Sequence, residues 1–163
     1  MHSSPMPKPE LFETFDSIES LVTRPGLVSY ASVGSQGEGL RVQMGGRQSR
    51  SWEAIRGLAV SDDGKTLAYR ARKGDLWFVV SGSLSRGKEG PPFQEVGDPV
   101  LSPDGTSVAH AAREGASWVV LAGPRKSGPF DQVWSPVFSE DGATVTFAAR
   151  KGRDVWRKTL GAK

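Results

Sequence analysis

The chain has 163 residues, one domain's worth of sequence, with 20 glycines, 11 prolines and 37% hydrophobic residues. That balance suits an all-β fold rich in turns, with a core built from short strands. The net charge of +3 is mildly basic, and the absence of cysteine excludes disulfides and thiolate chemistry, which fits the cytoplasm.

In chain order, Met1 to Glu10 carries serine and proline but no apolar core, so residues 1–10 read as a disordered tail and not as a signal peptide. The expected compartment is therefore cytoplasmic, with the periplasm requiring a leader that has been removed. No apolar run approaches the roughly 18 residues of a membrane span, so no membrane partner is expected.

From residue 11 to 163 one phrase returns four times. An aromatic residue is followed three positions later by isoleucine or valine: Phe15 with Ile18, Trp52 with Ile55, Phe93 with Val96, Phe130 with Val133. The aromatics are 37, 41 and 37 residues apart, and a fixed period of this size marks a repeat architecture. In the last three copies a serine stands nine residues after the aromatic and opens a turn: Ser61-Asp62-Asp63-Gly64, Ser102-Pro103-Asp104-Gly105 and Ser139-Glu140-Asp141-Gly142. Glycine takes positive φ without steric cost, and aspartate bonds its own backbone, as a tight hairpin requires.

Short apolar runs flank each turn. Leu58 to Val60, Val100-Leu101 and Val137-Phe138 precede it; Leu67 to Tyr69, Val108 to His110 and Val145 to Phe147 follow. A second turn at Lys73-Gly74, Glu114-Gly115 and Lys151-Gly152 leads to a third run at Leu76 to Val80, Trp118 to Leu121 and Val155-Trp156. Such segments bounded by turn signals read as strands. Each repeat is thus a four-stranded antiparallel meander, with strands A, B and C as above and strand D placed on the aromatic phrases near 11–18, 51–55, 91–96 and 128–133. The first copy is degenerate: Thr23-Arg24-Pro25-Gly26 replaces the serine turn. The only hint of a helical period is Glu10 to Leu21, which overlaps the first phrase.

The segments Val100 to Ala109 and Gly128 to Val133, with their Ser-Pro-Asp-Gly turn and aromatic phrase, resemble the TolB-like, WD-type β-propeller repeats of bacteria. The resemblance covers residues 11 to 163 and implies an all-β propeller of four repeats of 37–41 residues. Propellers of that family have about six or more blades, and this chain offers four units. Its ends are complementary: a D phrase at about Leu11 to Ile18 has no strand C before it, and a C strand at about Asp154 to Leu160 has no D phrase after it. One chain could close as a four-bladed ring. Two chains could exchange ends into an eight-bladed ring with twofold symmetry, the closure favoured here because small blades shaped for wide rings would be strained in a ring of four.

The site candidates are few. Arg70, Arg72, Lys73, Arg113, Arg150, Lys151 and Arg153 gather near the second turns and would form a basic rim, read as solvated turns because no aromatic-and-basic motif for nucleic acid accompanies them. Asp62, Asp63, Asp104, Glu140 and Asp141 sit singly or in pairs on separate turns, unlike a calcium loop, so no metal or other cofactor is expected. His110 occupies the position of Tyr69 and Phe147 in other copies and reads as a filler; no catalytic residue is assigned. Trp77 and Trp118 are equivalent in register and read as packing between repeats. Trp134 has Arg56 and Gly97 as its counterparts, and precedes an innermost strand. Trp134, Arg56 and Asp98 are accordingly the expected binding face. The innermost strands, Leu58-Ala59-Val60, Pro99-Val100-Leu101 and Pro136-Val137-Phe138, are almost wholly apolar. The functional expectation is a non-catalytic scaffold for protein partners that assembles through its ends as a homodimer. The alternatives are a propeller hydrolase or lyase with acids in the central channel, and a partial propeller completed by another chain.

Overall fold

The computed structural model describes residues 17–23, 30–35 and 37–163. The expected tail at 1–10, the first phrase as far as residue 16 and most of the degenerate first turn lie outside these residues.

The described residues form antiparallel sheets in succession. The first holds β1 (Ser17–Thr23), β2 (Tyr30–Ser35), β3 (Leu40–Met44) and β4 (Arg47–Gln48). The second holds β5 (Ala54–Val60), β6 (Leu67–Lys73), β7 (Leu76–Gly82) and β8 (Lys88–Glu89). In the third, β9 (Glu95–Val96) and β10 (Val100–Leu101) share the innermost edge, beside β11 (Val108–Glu114), β12 (Ser117–Ala122) and β13 (Arg125–Phe130). In the fourth, β14 (Gln132–Val133) and β15 (Val137–Phe138) flank β16 (Thr144–Lys151), which pairs on its other side with β17 (Asp154–Gly161). The meander expected from the turn spacing is present in each, and Glu10 to Leu21 yields a strand from Ser17 rather than a helix.

Of each described phrase only the aromatic end belongs to the outer strand. Outer strands β4, β8 and β13 run before or up to the aromatic, and the phrase crosses from one sheet to the next. Its aromatic pairs backward: Trp52 with Leu40, Phe93 with Trp77, Phe130 with Trp118. Three residues later the aliphatic pairs forward: Ile55 with Ala71, Val96 with Ala112, Val133 with Ala149. Three residues of extended chain span about 10 Å, the distance between two packed sheets. Ile18 pairs with Gly34 in the first sheet, so it is a forward-pairing residue of the same kind.

Each boundary encloses its own apolar layer. Ala31, Val33 and Val42 meet Trp52, Ile55, Tyr69 and Ala71 at the first. Val79 and Phe93 meet Val96, Ala112 and Val119 at the second, with Trp77 packed alongside as its register implied. Val120, Ala122 and Phe130 meet Val145, Phe147 and Ala149 at the third.

The serine turns add a second, polar contact between sheets. In each, the serine Oγ donates to the aspartate Oδ1 at 2.6 Å: Ser61 to Asp63, Ser102 to Asp104, Ser139 to Asp141. The same Oγ accepts the backbone N–H five residues on, at 3.0–3.1 Å. The turn glycine then sits on the serine of the sheet before it. A Cβ on Gly105 would lie 2.9 Å from the Ser61 Cβ, and one on Gly142 3.3 Å from the Ser102 Cβ. Ser61 and Ser102 are accordingly buried, while Ser139, with no described turn above it, is half-buried.

Gly105 and Gly115 both have positive φ, 69° and 60°, but nothing lies within 4 Å of a Cβ on Gly115. Gly115→Ala is expected to cost about 1 kcal/mol from backbone strain alone. Gly105→Ala should cost about 2–4 kcal/mol because overpacking adds to that strain. Urea unfolding of both variants checks the difference; equal losses would mean the turns do not bear on one another.

Candidate functional site

The innermost strands converge at the ends of β5, β10 and β15. Ala59 and Val60, Pro99 to Leu101 and Pro136 to Phe138 line a concave cavity of about 360 Å³, with Asp62 at its edge. Val137 is 65% exposed there, an aliphatic side chain facing open space. A wall of this composition can desolvate apolar groups of a ligand but holds no acid–base pair.

Trp134 follows β14, its N–H bonded to the Ala148 carbonyl at 3.0 Å and its side chain 43% exposed. Arg56 is exposed on β5. Asp98 lies against Gly57, whose missing side chain leaves the space that its carboxylate occupies. The Arg70 Nε is 2.9 Å from the Asp98 Oδ1, an ion pair without an aligned hydrogen bond, and the Arg70 Nη1 donates to the Val96 carbonyl at 2.8 Å. Asp98 and Arg70 thus tie the third sheet to the second, beside Arg56. Among the described residues no hydrogen bond, ion pair or ring contact joins Trp134 to Arg56 or Asp98.

That geometry also separates Arg70 from the other cations of the expected rim. Its guanidinium is three-quarters buried and lies over the Trp77 ring, because residue 70 falls mid-strand and not in the turn. The turn cations do face solvent. Lys73, Arg113, Lys151 and Arg153 are exposed, and Arg72 and Arg150 half-buried. Arg113 and Arg150 donate to the carbonyls of Gly115 and Gly152 at 3.1 Å, so both are partly committed to their own turns. Glu53 and Asp131, each directly after its aromatic, accept the turn N–H of Gly74 and Gly152.

The recurrent acids serve the turns. Each Oδ1 of Asp63, Asp104 and Asp141 also accepts the N–H two residues on, at 3.0 Å. These hydrogen bonds, the serine hydroxyl first, stabilise the carboxylate and lower all three pKa values, Asp104 to about 2. Among the described residues no three of His, Cys, Asp and Glu gather as a metal site would require. His110 is buried, its Nδ1 3.2 Å from the Ala111 carbonyl and its ring edge-on to Phe93. Burial pushes its pKa below the usual imidazole value, favouring the neutral ring.

The sequence reading missed the seat of Asp98 on Gly57. A lone glycine inside an apolar strand was the signal, since it marks a bulge or close approach, and β5 does shift register between Arg56 and Ala59.

No family model matches the chain, and no curated protein is significantly similar to it in sequence. Solved structures do match its fold. TolB from Acinetobacter baumannii superposes with a TM-score of 0.56 over 90% of this chain and 41% of its own, at 16% identity. A putative TolB from Agrobacterium tumefaciens gives 0.50 over 82% and 57%, at 17% identity. An oligogalacturonate lyase in complex with manganese gives 0.55 over 90% and 49%, at 11% identity. The fold is that of a TolB-like β-propeller, and the chain spans about two-fifths to three-fifths of the length of these structures.

The turn carboxylates make stability depend on acid. Their folded pKa values lie below the unfolded value near 4, so their contribution is present above pH 4 and lost as pH falls toward 2. Melting temperature should drop over that window. Asp104→Asn, which keeps an acceptor but cannot titrate, should shallow the drop; an unchanged acid limb would contradict the role given to this carboxylate.

Proposed function

We propose that this chain is a non-catalytic propeller module that holds protein partners against its innermost wall and assembles through complementary ends. The observation that carries the first half is the composition of that wall. Across three sheets it offers proline, valine, leucine and phenylalanine, with Asp62 at the edge as its one titratable side chain. Exposed apolar surface in a concavity suits an apolar segment of a partner. The enzyme reading has a lyase among the fold's neighbours in its favour, but it needs acids or bases where these strands carry aliphatics.

The second half rests on the phrase. Ile18 pairs forward like Ile55, Val96 and Val133, so Phe15 is expected to pair backward onto the third strand of a preceding sheet. Among the described residues the fourth sheet alone lacks an outer strand: β17 pairs only with β16, and Val155 and Trp156 are exposed. If the repeat register continues, Phe15 would fall opposite Val155, the residue equivalent to Trp77 and Trp118. The net charge agrees, because Glu10, Glu13 and Asp16 surround Phe15 in sequence, while Arg153, Arg157 and Lys158 outnumber the one acid, Asp154, around Val155. Ser139 also lacks the glycine that covers Ser61 and Ser102, and Gly26 of the degenerate first turn is the residue whose position in the repeat matches.

Exchange between two chains is the favoured form. The substantial contacts between described elements run from each sheet to the next, and none joins the fourth sheet to the first. The part-length match to the TolB structures also suits completion by a different chain, through the same edge.

Light scattering coupled to size exclusion tests both halves. The intact chain should run near twice its 17.5 kDa, and removal of residues 1–15 should give a monomer with a lower melting temperature. Val137→Asp should leave the mass unchanged and abolish co-elution of any partner that the intact dimer retains. A monomer indifferent to the truncation would contradict self-assembly, and undiminished partner binding by Val137→Asp would contradict the wall.

A further inference from the structure

A cleft of about 310 Å³ lies between the second and third sheets, sharing Leu101 with the innermost wall. Thr66, Ser81, Arg86, Lys88, Thr106 and Ser107 supply its polar lining, and no carboxylate joins them. The hairpin joining β7 to β8 produces this sorting. Lys88 pairs directly with Ser81 across the two strands, so both side chains project to one face of the sheet. Glu89, one residue on, projects to the other face and pairs with Arg50 of the preceding sheet at 2.8 Å. The hairpin thereby sends its acid one way and its cations the other.

The donors in the cleft differ in their commitments. Thr106 Oγ1 donates to Asp104 and Ser107 Oγ to the Ala162 carbonyl. Asp104 itself, the acid of the adjoining turn, is occupied by Ser102 and by both the N–H and hydroxyl of Thr106. Among the described residues Arg86 and Lys88 have no ion pair, and the hydroxyls of Thr66 and Ser81 have no hydrogen bond. Two unpaired cations and two uncommitted hydroxyls therefore face one space whose walls contain no negative charge.

We propose that this cleft binds a doubly charged oxyanion, with Arg86 and Lys88 as its charge partners and Thr66 and Ser81 as neutral donors. The arginine fork suits two oxygens of one tetrahedral group, and the lysine ammonium adds a point charge. The volume exceeds that of a bare ion, so the group recognised is a phosphate monoester, which keeps close to two charges when carried on a small molecule. The polar lining of this site shares no residue with the channel wall, and the proposal does not rest on end-to-end assembly.

Inorganic phosphate and sulfate are the probes, titrated calorimetrically into the full chain at constant ionic strength with chloride as the exchanged ion. Saturable binding is expected, weakened about tenfold by Arg86→Ala and by Lys88→Ala, since a charged hydrogen bond carries that much affinity. Lys126→Ala, which removes an exposed cation outside the cleft, should leave it unchanged, and Ser81→Ala should weaken it less than either cation variant. All of these side chains are at the surface or at the edge of a cleft, and each variant's melting temperature checks that the fold persists. Absence of saturable binding, or equal weakening by Lys126→Ala and the cleft variants, would overturn the proposal; the latter outcome would mean that anions only screen the net positive charge. Tighter binding of a phosphate monoester than of inorganic phosphate would identify the carried group as the ligand, and equal binding would assign the free ion.

Discussion

The structure depends on a division of labour inside three residues. In the three phrases among the described residues the aromatic hydrogen-bonds to the sheet behind, and the aliphatic three positions later joins the sheet ahead. Trp77 and Phe93 exchange both backbone bonds at 2.8 and 2.9 Å, and Val96 already belongs to the next sheet. The chain therefore cannot finish one sheet without starting another. The apolar layers follow from this placement: Trp52, Phe93 and Phe130 are buried at successive boundaries because the crossing puts them there.

The serine turns answer a different problem. A propeller's inner strands are short, β10 and β15 having two residues each, and hydrogen bonds between such strands give little rigidity. The serine–aspartate pair closes each turn from within, and the glycine behind it lets the next turn approach to contact distance. Two features that look like function in the sequence, a recurring acid and a recurring serine, are in this way consumed by architecture. What remains for binding is surface that the repeat does not use: the aliphatic inner wall, the outer edge of β17, and the cation-lined cleft. At β17 the repeat itself changes character. Arg157 and Thr159 stand where Val79 and Ser81, or Val120 and Ala122, meet a following sheet, so a sheet placed there would meet a more polar face than any internal one.

Much of the fold was legible because its punctuation is chemical. Ser-x-Asp-Gly forces a hairpin, and the apolar runs around it fix which strands pair. The outer strand was misplaced because a periodic aromatic looks the same whether it pairs backward or forward; only the register distinguishes them. For the site, the apolar inner strands and the filler role of residue 110 could be read by aligning repeats. Arg70 could not be separated from the turn cations, since its burial depends on Asp98 and Val96, residues brought to it by the next sheet. The cleft was invisible for the same reason: Thr66, Lys88 and Ser107 are far apart in sequence and meet only through the packing of two sheets.

Every described aromatic of the phrase closes the sheet before it, and the proposed assembly requires Phe15 to do so for β17. The native sequence contains no cysteine, so a paired substitution reports on this contact alone. Phe15→Cys combined with Val155→Cys should oxidise to a disulfide in high yield, and Phe15→Cys combined with Lys126→Cys should not. A covalent dimer on a non-reducing gel would place the contact between two chains, and a crosslinked monomer within one. Failure of the first pair to crosslink in a folded protein would contradict the claim.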